Sequence, residues 1–228
     1  MQLDARLRAI ASFVPRGSRV ADVGTDHGHL ALTLVQEGTA DFVIASDKNE
    51  GPLAAASHAV QSAGLAEQIA LRQSNGLIGI APMEVDTVCL AGMGGALMIE
   101  ILSAAPATVK RLSTLVLQPQ GAAMELRWWL YQNDWYIADE ALVEADGRMY
   151  EIMQAKRGKK PTPNRILLEI GPMLWKKKPP LLRRHIEVLL LGKQRALAGM
   201  QKSETAQKSR KYAETKAYIE NLEAYRAW

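Results

Sequence analysis

The 228-residue chain has a single cysteine, Cys89, so no disulfide can close within it and a disulfide-stapled fold is excluded. No apolar run approaches the roughly 18–20 residues that a membrane-spanning helix needs. The first residues place Asp4, Arg6 and Arg8 where a secretory leader requires an apolar core, so the expectation is a cytoplasmic protein in a reducing compartment. Internal repeats and low-complexity tracts are missing too. With 48% hydrophobic and 23% charged residues, the composition is that of a soluble globular chain and not of a disordered one.

The net charge of +4 conceals a division. Residues 1–155 hold 10 Lys and Arg against 18 Asp and Glu, whereas residues 156–228 hold 18 against 6. An acidic body followed by a basic tail implies different tasks, the tail either facing a polyanion or forming a solvated helical arm. Residues 156–165 (KRGKKPTPNR) mark the boundary, giving domains at 1–160 and 161–228.

In the body, short apolar runs alternate with amphipathic stretches. Strands are predicted at 18–23, 41–46, 69–73, 85–91 and 115–118, and helices at 30–37, 52–63, 95–104 and 122–133. This alternation predicts an α/β fold with a parallel sheet covered on both faces. Two further strands, 135–141 and 149–155, flank Asp146-Gly147 and predict an antiparallel hairpin at one edge. After Pro179-Pro180 the tail turns helical. Ile186, Leu190, Lys193, Leu197 and Met200 alternate in steps of four and three, and Tyr218, Leu222 and Tyr225 resume the spacing. Two such stripes predict an antiparallel helical hairpin of coiled-coil type.

Chemistry concentrates where the predicted strands end. The first runs into Asp22, Gly24, Thr25, Asp26, His27 and Gly28. A glycine turn between strand and helix is the ligand-binding edge of a doubly wound sheet. In the dinucleotide fingerprint G-x-G-x-x-G the backbone must approach a pyrophosphate, yet Asp26 occupies the second glycine position. A carboxylate there repels a diphosphate and suits a cationic ligand without phosphates, such as S-adenosylmethionine. Asp47 lies 23 residues after Gly24, the distance at which an acid meets ribose hydroxyls. Asn75 and Gly76 follow the third strand, where an amide can reach an adenine edge or simply serve a turn. Ala91, Gly92 and Met93 open a second glycine-rich turn. His27 and His29 lack any metal-site spacing and no metal is expected, while His58 and His185 read as surface-helix residues.

The motifs A-D-V-G-T-D-H-G-H-L, S-D-K-N-E-G-P, S-N-G-L, L-A-G-M-G-G and L-Q-P-Q, with G-R-M-Y-E-I and the closing helices, resemble the bacterial tRNA adenine-22 N1-methyltransferases. The resemblance implies a Rossmann-like class I methyltransferase domain joined to a C-terminal coiled-coil hairpin, with S-adenosylmethionine as methyl donor and tRNA as partner. It places Asp22, Gly24, Thr25, Asp26 and His27 at the methionine end of the cofactor, Asp47, Lys48 and Asn49 at the ribose, and Asn75 and Gly76 at the adenine. Ala91, Gly92 and Met93 fall between cofactor and target base, with Asp26, Gly92 and Met93 as the catalytic candidates. The chain departs from the family pattern at Gln120, Asn75 and His29.

For RNA, the candidates are Lys156, Arg157, Lys159, Lys160, Lys176, Lys177, Lys178, Arg183 and Arg184, expected to grip backbone near the pocket. A monomer or weak homodimer without membrane or metal is expected. Two other readings share the fold, a nicotinamide dehydrogenase and a non-catalytic RNA-binding protein; another nucleic-acid base methyltransferase is a further alternative.

Overall fold

The computed structural model describes residues 4–227. These divide into two compact units between Thr162 and Pro163. The first unit runs α1 (Ala5–Ser12), β1 (Ser18–Val23), α2 (His29–Gln36), β2 (Ala40–Asp47), α3 (Glu50–Ser62), β3 (Ile69–Gln73), β4 (Thr87–Met93), α4 (Gly95–Ala104), α5 (Pro106–Val109), β5 (Thr114–Pro119), α6 (Ala123–Gln132), β6 (Trp135–Ala145) and β7 (Arg148–Arg157). The strands form a seven-stranded sheet in the order β3-β2-β1-β4-β5-β7-β6. It is parallel from β3 to β5, and β7 pairs antiparallel with both β5 and β6. This is the parallel sheet that the alternating pattern predicted, with the expected antiparallel edge hairpin, in the Rossmann-like form that the resemblance implied.

The central strands read as continuous apolar runs because both their faces are covered. Val20 and Ala21 of β1, Val88 to Leu90 of β4 and Leu115 to Leu117 of β5 are all fully buried. From β1 the chain moves outward through β2 to β3, then returns to the other side of β1 as β4. Crossovers diverging from β1 leave a crevice above the carboxyl ends of β1 and β4, where ligands enter such sheets.

Most boundaries shift by one or two residues from the predicted ones, and two of the differences have a clear physical reason. The fourth strand begins at Thr87 rather than 85, because Asp86 is spent as a junction: its Oδ2 accepts from the Arg19 amide (2.9 Å) and its carbonyl from the Ser113 amide (2.8 Å). The edge hairpin is longer than expected and turns through Asp146 (φ 49°) and Gly147 (φ 70°), the paired left-handed residues of a tight hairpin. Two helices of this unit, α1 and the single-turn α5, had no sequence assignment, and α1 is the one that bears on the site. Asp4 caps it by accepting the Leu7 amide (2.6 Å), and Ile10, Ala11 and Val14 then join the core built by Leu30, Leu34 and Val60. Burying each large apolar side chain stabilises the fold by roughly 1.5–3 kcal/mol, enough to pin so short a helix.

At the far side of the sheet Arg127 of α6 is fully buried. Its Nε bonds Glu140 (2.7 Å) on β6 and its Nη2 bonds Glu151 (2.5 Å) on β7. Burial opposes the cation, but the two carboxylates more than offset it and hold its pKa above the ordinary value.

The second unit contains α7 (Arg165–Ile170), α8 (Pro172–Lys177), α9 (Leu182–Met200), α10 (Glu204–Gln207) and α11 (Arg210–Arg226). Helix therefore begins earlier than Pro179-Pro180, with Asn164 capping α7 by accepting the Leu167 amide (2.9 Å). The paired helices α9 and α11 are antiparallel: Gln201 bonds Tyr212 at one end, and Lys193 lies 4.9 Å from the Tyr218 ring further along. Leu168, Ile170, Leu174, Leu182, Ile186 and Leu222 make a small core beneath the hairpin. The lysine intruding in the apolar stripe is accounted for, since Lys193 pairs with Glu169 at 3.2 Å.

His185 is not the surface residue its helical setting suggested. It is 4% exposed, with Nε2 3.1 Å from the Ile170 carbonyl. The short helix α7, unrecognised in the sequence, supplies that carbonyl. No helix among the described residues is long and apolar enough to cross a membrane.

Candidate active site

The carboxyl ends of four neighbouring strands gather the candidate residues into one row. Ser74–Gly76 follow β3, Asp47–Asn49 end β2, Asp22–His27 end β1, and Ala91–Met93 end β4. The row is cross-tied by backbone. The amides of Gly24 and Thr25 both donate to the Ser46 carbonyl (2.8 and 3.0 Å), and the Ser74 amide donates to the Asp47 carbonyl (2.9 Å).

Asp22 is 6% exposed and accepts a 2.8 Å hydrogen bond from the Thr25 hydroxyl. No cation is paired with it among the described residues. Burial pushes its pKa up to about 6; the Thr25 bond opposes the shift and nearby Asp47 adds to it. Beyond it the chain takes left-handed turns at Gly24 (φ 78°), His27 (φ 57°) and Gly28 (φ 71°) before α2 begins. At Gly24 the turn is also closely packed, since a Cβ there would come 3.0 Å from the Met93 methyl. Asp26 projects into solvent, 85% exposed, and its Oδ1 lies 3.1 Å from His27 Nε2.

Asp47 Oδ1 accepts the Asn49 amide (2.8 Å), and the Lys48 carbonyl accepts from Gln73 (3.2 Å). Asn75 is exposed. Gly76 (φ 64°) is buried under Ile101, which leaves no room for a side chain.

A cavity of about 410 Å³ opens along the β1–β4 part of this row. Asp22, Gly24, Asp26, Ala91 and Gly92 line it; Thr25, His27, Met93 and the residues after β2 and β3 do not. It also brings in residues that the sequence had not nominated. Arg6 arrives on α1, Gln120 follows β5, and Asp146 and Tyr150 come from the hairpin tip. His29 lines it as well, with a buried Nδ1 that has no partner among the described residues. The helix that carries Arg6 was findable, since Asp4 with Leu7, Ile10, Ala11 and Val14 is a capped helical pattern; the reach of Arg6 into the site was not.

Gln118 organises the β5 side. Fully buried, it accepts with Oε1 from both Arg6 (3.0 Å) and the Gly92 amide (3.1 Å), and donates to the Pro119 carbonyl.

This donor set fits a cationic nucleoside. A buried, uncompensated carboxylate faces the cavity, and a second carboxylate stands at the turn where a diphosphate needs bare backbone. No group of three or more His, Cys, Asp or Glu able to hold a metal occurs among the described residues.

Comparison with known proteins agrees in sequence and in fold. A methyltransferase domain family matches residues 3–153. A tRNA (adenine(22)-N(1))-methyltransferase of Bacillus subtilis is 37% identical over 158 residues, 69% of this chain and 66% of the relative, just under two thirds of its length. The crystal structure of the B. subtilis M1A22 tRNA methyltransferase superposes with a TM-score of 0.90 at 30% identity, covering 99% of both chains. The chain belongs to the tRNA (adenine-22 N1)-methyltransferase family. A Streptococcus pneumoniae structure in complex with S-adenosyl-L-methionine superposes with a TM-score of 0.88 at 28% identity, over 99% of this chain and all of that one.

For this family member the basic residues are placed unexpectedly. Lys156 pairs with Thr114 at the start of β5, because β7 runs back antiparallel. Lys156 to Lys160 therefore lie at the amino end of the sheet, about 17 Å of strand away from the cavity at the other end of β5. They do not flank the pocket, contrary to expectation. Arg157 is moreover committed there: it donates to the Asn133 and Val109 carbonyls and stacks 4.5 Å from the Trp135 ring. Lys159 pairs with Asp134 (3.4 Å), and Lys160 lies 3.8 Å from the Tyr136 ring. In the second unit Lys176, Lys177, Arg183 and Arg184 are exposed, while Lys178 folds its ammonium over the Trp175 ring.

Proposed function

We propose that this chain methylates N1 of adenine 22 in tRNA, using S-adenosylmethionine as donor. The observation that supports it most directly is the buried Asp22 carboxylate, uncompensated by any cation of the described chain, on the wall of a strand-end cavity. When bound, S-adenosylmethionine supplies a methyl group on a cationic sulfur, open to displacement by a nitrogen lone pair.

Adenine N1 already owns such a lone pair, so the chain need not remove a proton before attack. Its work is orientation and exclusion of water. In this reading Asp22, Gly24, Thr25 and His27 seat the methionine end of the donor, Asp47, Lys48 and Asn49 the ribose, and Asn75 and Gly76 the adenine. Gly92 and Met93 hold the target ring in line. Asp26 then faces an adenine that has gained positive charge, and its carboxylate stabilises that charge or takes an N6 proton afterwards. At 85% exposure Asp26 acts weakly in open water, so the RNA must cover it for the effect to grow.

N1 sits on the pairing edge, so the nucleotide must be unpaired or flipped before transfer. The exposed cations of the second unit, Lys176, Lys177, Arg183 and Arg184, supply the phosphate-gripping surface. The enzyme works in the cytoplasm as a monomer or weak homodimer, a point that light scattering with and without tRNA decides.

Nucleoside analysis of tRNA from a strain lacking this protein tests the reading. Loss of 1-methyladenosine, restored by the wild-type chain and not by Asp26→Ala, is expected; an unchanged profile removes it. Calorimetry separates the dehydrogenase alternative, for which NAD and not S-adenosylmethionine binds. Binding of tRNA without methyl transfer favours the non-catalytic alternative.

A further inference from the structure

Resting on that reading, we infer that Arg6 of α1 holds a phosphate flanking the target adenosine, in the same cleft as the methyl donor but on its opposite wall. The guanidinium is fixed before any RNA arrives. Its Nη1 donates to Gln118 Oε1 at 3.0 Å. Gln118 cannot turn away without loss, because the same oxygen accepts the Gly92 amide and its nitrogen is spent on the Pro119 carbonyl. Asp4 stands 3.9 Å from the other terminal nitrogen, outside hydrogen-bond reach. Among the described residues this is therefore a cation with one of five donors used, its side chain 23% exposed, lining a cavity.

Its surroundings define the ligand. The lining carboxylates Asp4, Asp22, Asp26 and Asp146 repel anions, and Arg6 is the one permanently charged cation among the described lining residues. Gly92 lies directly beside it, since a Cβ there would meet Arg6 Nη1 in ordinary contact at 3.5 Å. Asp22 and Asp47, the acids suited to a cationic nucleoside, end β1 and β2. Arg6 instead sits over β4 and β5, with its guanidinium carbon 5.7 Å from the Tyr150 ring of β7. A cationic donor gains nothing from a guanidinium beside its sulfur. An anionic oxygen group does, and a flipped nucleotide necessarily brings a phosphodiester with it, which a guanidinium takes in a two-pronged grip. The other source of anionic oxygen, the carboxylate of the donor's amino-acid end, is distinguished in the experiment.

The full-length chain is compared with Arg6→Ala and Arg6→Lys. Thermal unfolding checks folding, calorimetry reads S-adenosylmethionine affinity, and methyl transfer is measured on tRNA with a neutral methylphosphonate at either linkage flanking the target adenosine. Expected are donor affinity within about twofold of wild type and a fall in kcat/KM for tRNA of roughly 10–100-fold in Arg6→Ala, partly recovered in Arg6→Lys. One methylphosphonate should cost the wild type a similar factor and cost Arg6→Ala little. If the penalty is the same in both, or if donor affinity falls while the tRNA KM holds, the assignment is overturned. Should Arg6→Ala fail to fold, Arg6→Lys and the wild-type response to the neutral linkages decide. A wild type that transfers no methyl to unmodified tRNA refutes the underlying reading instead.

Discussion

Arg127 of α6 and Asp22 of β1 are both shut away from solvent, and the molecule treats them in opposite ways. Arg127 sits between Glu140 and Glu151, bonded to each, with its charge held on. Asp22 has a single threonine hydroxyl for company and another carboxylate nearby, and its pKa has risen to about 6. Removing an ion from water costs several kcal/mol unless a partner offsets it. At the sheet edge the partners are part of the chain. At the strand end they are not, and an uncompensated charge facing a cavity is the arrangement expected where the partner is a ligand.

The sharpest way to break the comparison is to strip the paired charge. Arg127→Met should leave Glu140 buried without its guanidinium and cost about 3–5 kcal/mol of stability. Denaturant unfolding reads this as a lower midpoint at an unchanged slope. Adding Glu140→Leu should recover part of the loss. A midpoint that hardly moves would mean the triad is not the structural clasp described here.

Asp22→Asn should do the reverse. The folded-state pKa of about 6 stands above the ordinary 3.8, so the folded protein holds more protons between those values, and the wild type loses stability as pH rises through that window. Below about pH 4 both forms are neutral there and equally stable. Above pH 6 the variant should be more stable by about 1–3 kcal/mol, several degrees in Tm. Donor binding should move the other way. In the wild type a cationic ligand binds the ionised Asp22, so its affinity should fall as pH drops below 6; in Asp22→Asn it should be weak at every pH. Calorimetry from pH 5 to 8 reads both, and a pH-independent wild-type affinity would separate Asp22 from the donor.

How much of this was legible beforehand follows from what each residue depends on. The strand-end acids and glycines were readable because β1 and β2 run straight into their turns, so sequence neighbours remain spatial neighbours. Arg6 was not, because it reaches Gln118 across 112 residues of chain. The basic stretch 156–160 misled for a directional reason. An antiparallel last strand returns to the amino end of the sheet, and charge counts hold no record of strand direction. His185 misled for want of its cover, since α7 is too short to announce itself by periodicity.

Between the two buried cases lies the partly exposed pair Arg72–Glu84, where the effect should be smallest. Glu84 accepts both terminal nitrogens of Arg72 (2.7 and 2.8 Å) and the Ala81 amide (2.9 Å). The Arg72 bonds hold its pKa down to about 2 from an ordinary 4.5. A depressed carboxylate contributes stability that is complete above 4.5 and disappears as pH falls through about 2. With both side chains about a quarter to a third exposed, solvent screens the pair, so Glu84→Gln should cost about 1 kcal/mol at pH 7. The gap in Tm between variant and wild type should narrow as pH falls from 4.5 and close near pH 2. It should also shrink in 1 M salt, where the Arg127 variant's loss should persist, since screening reaches the surface pair and not the buried one.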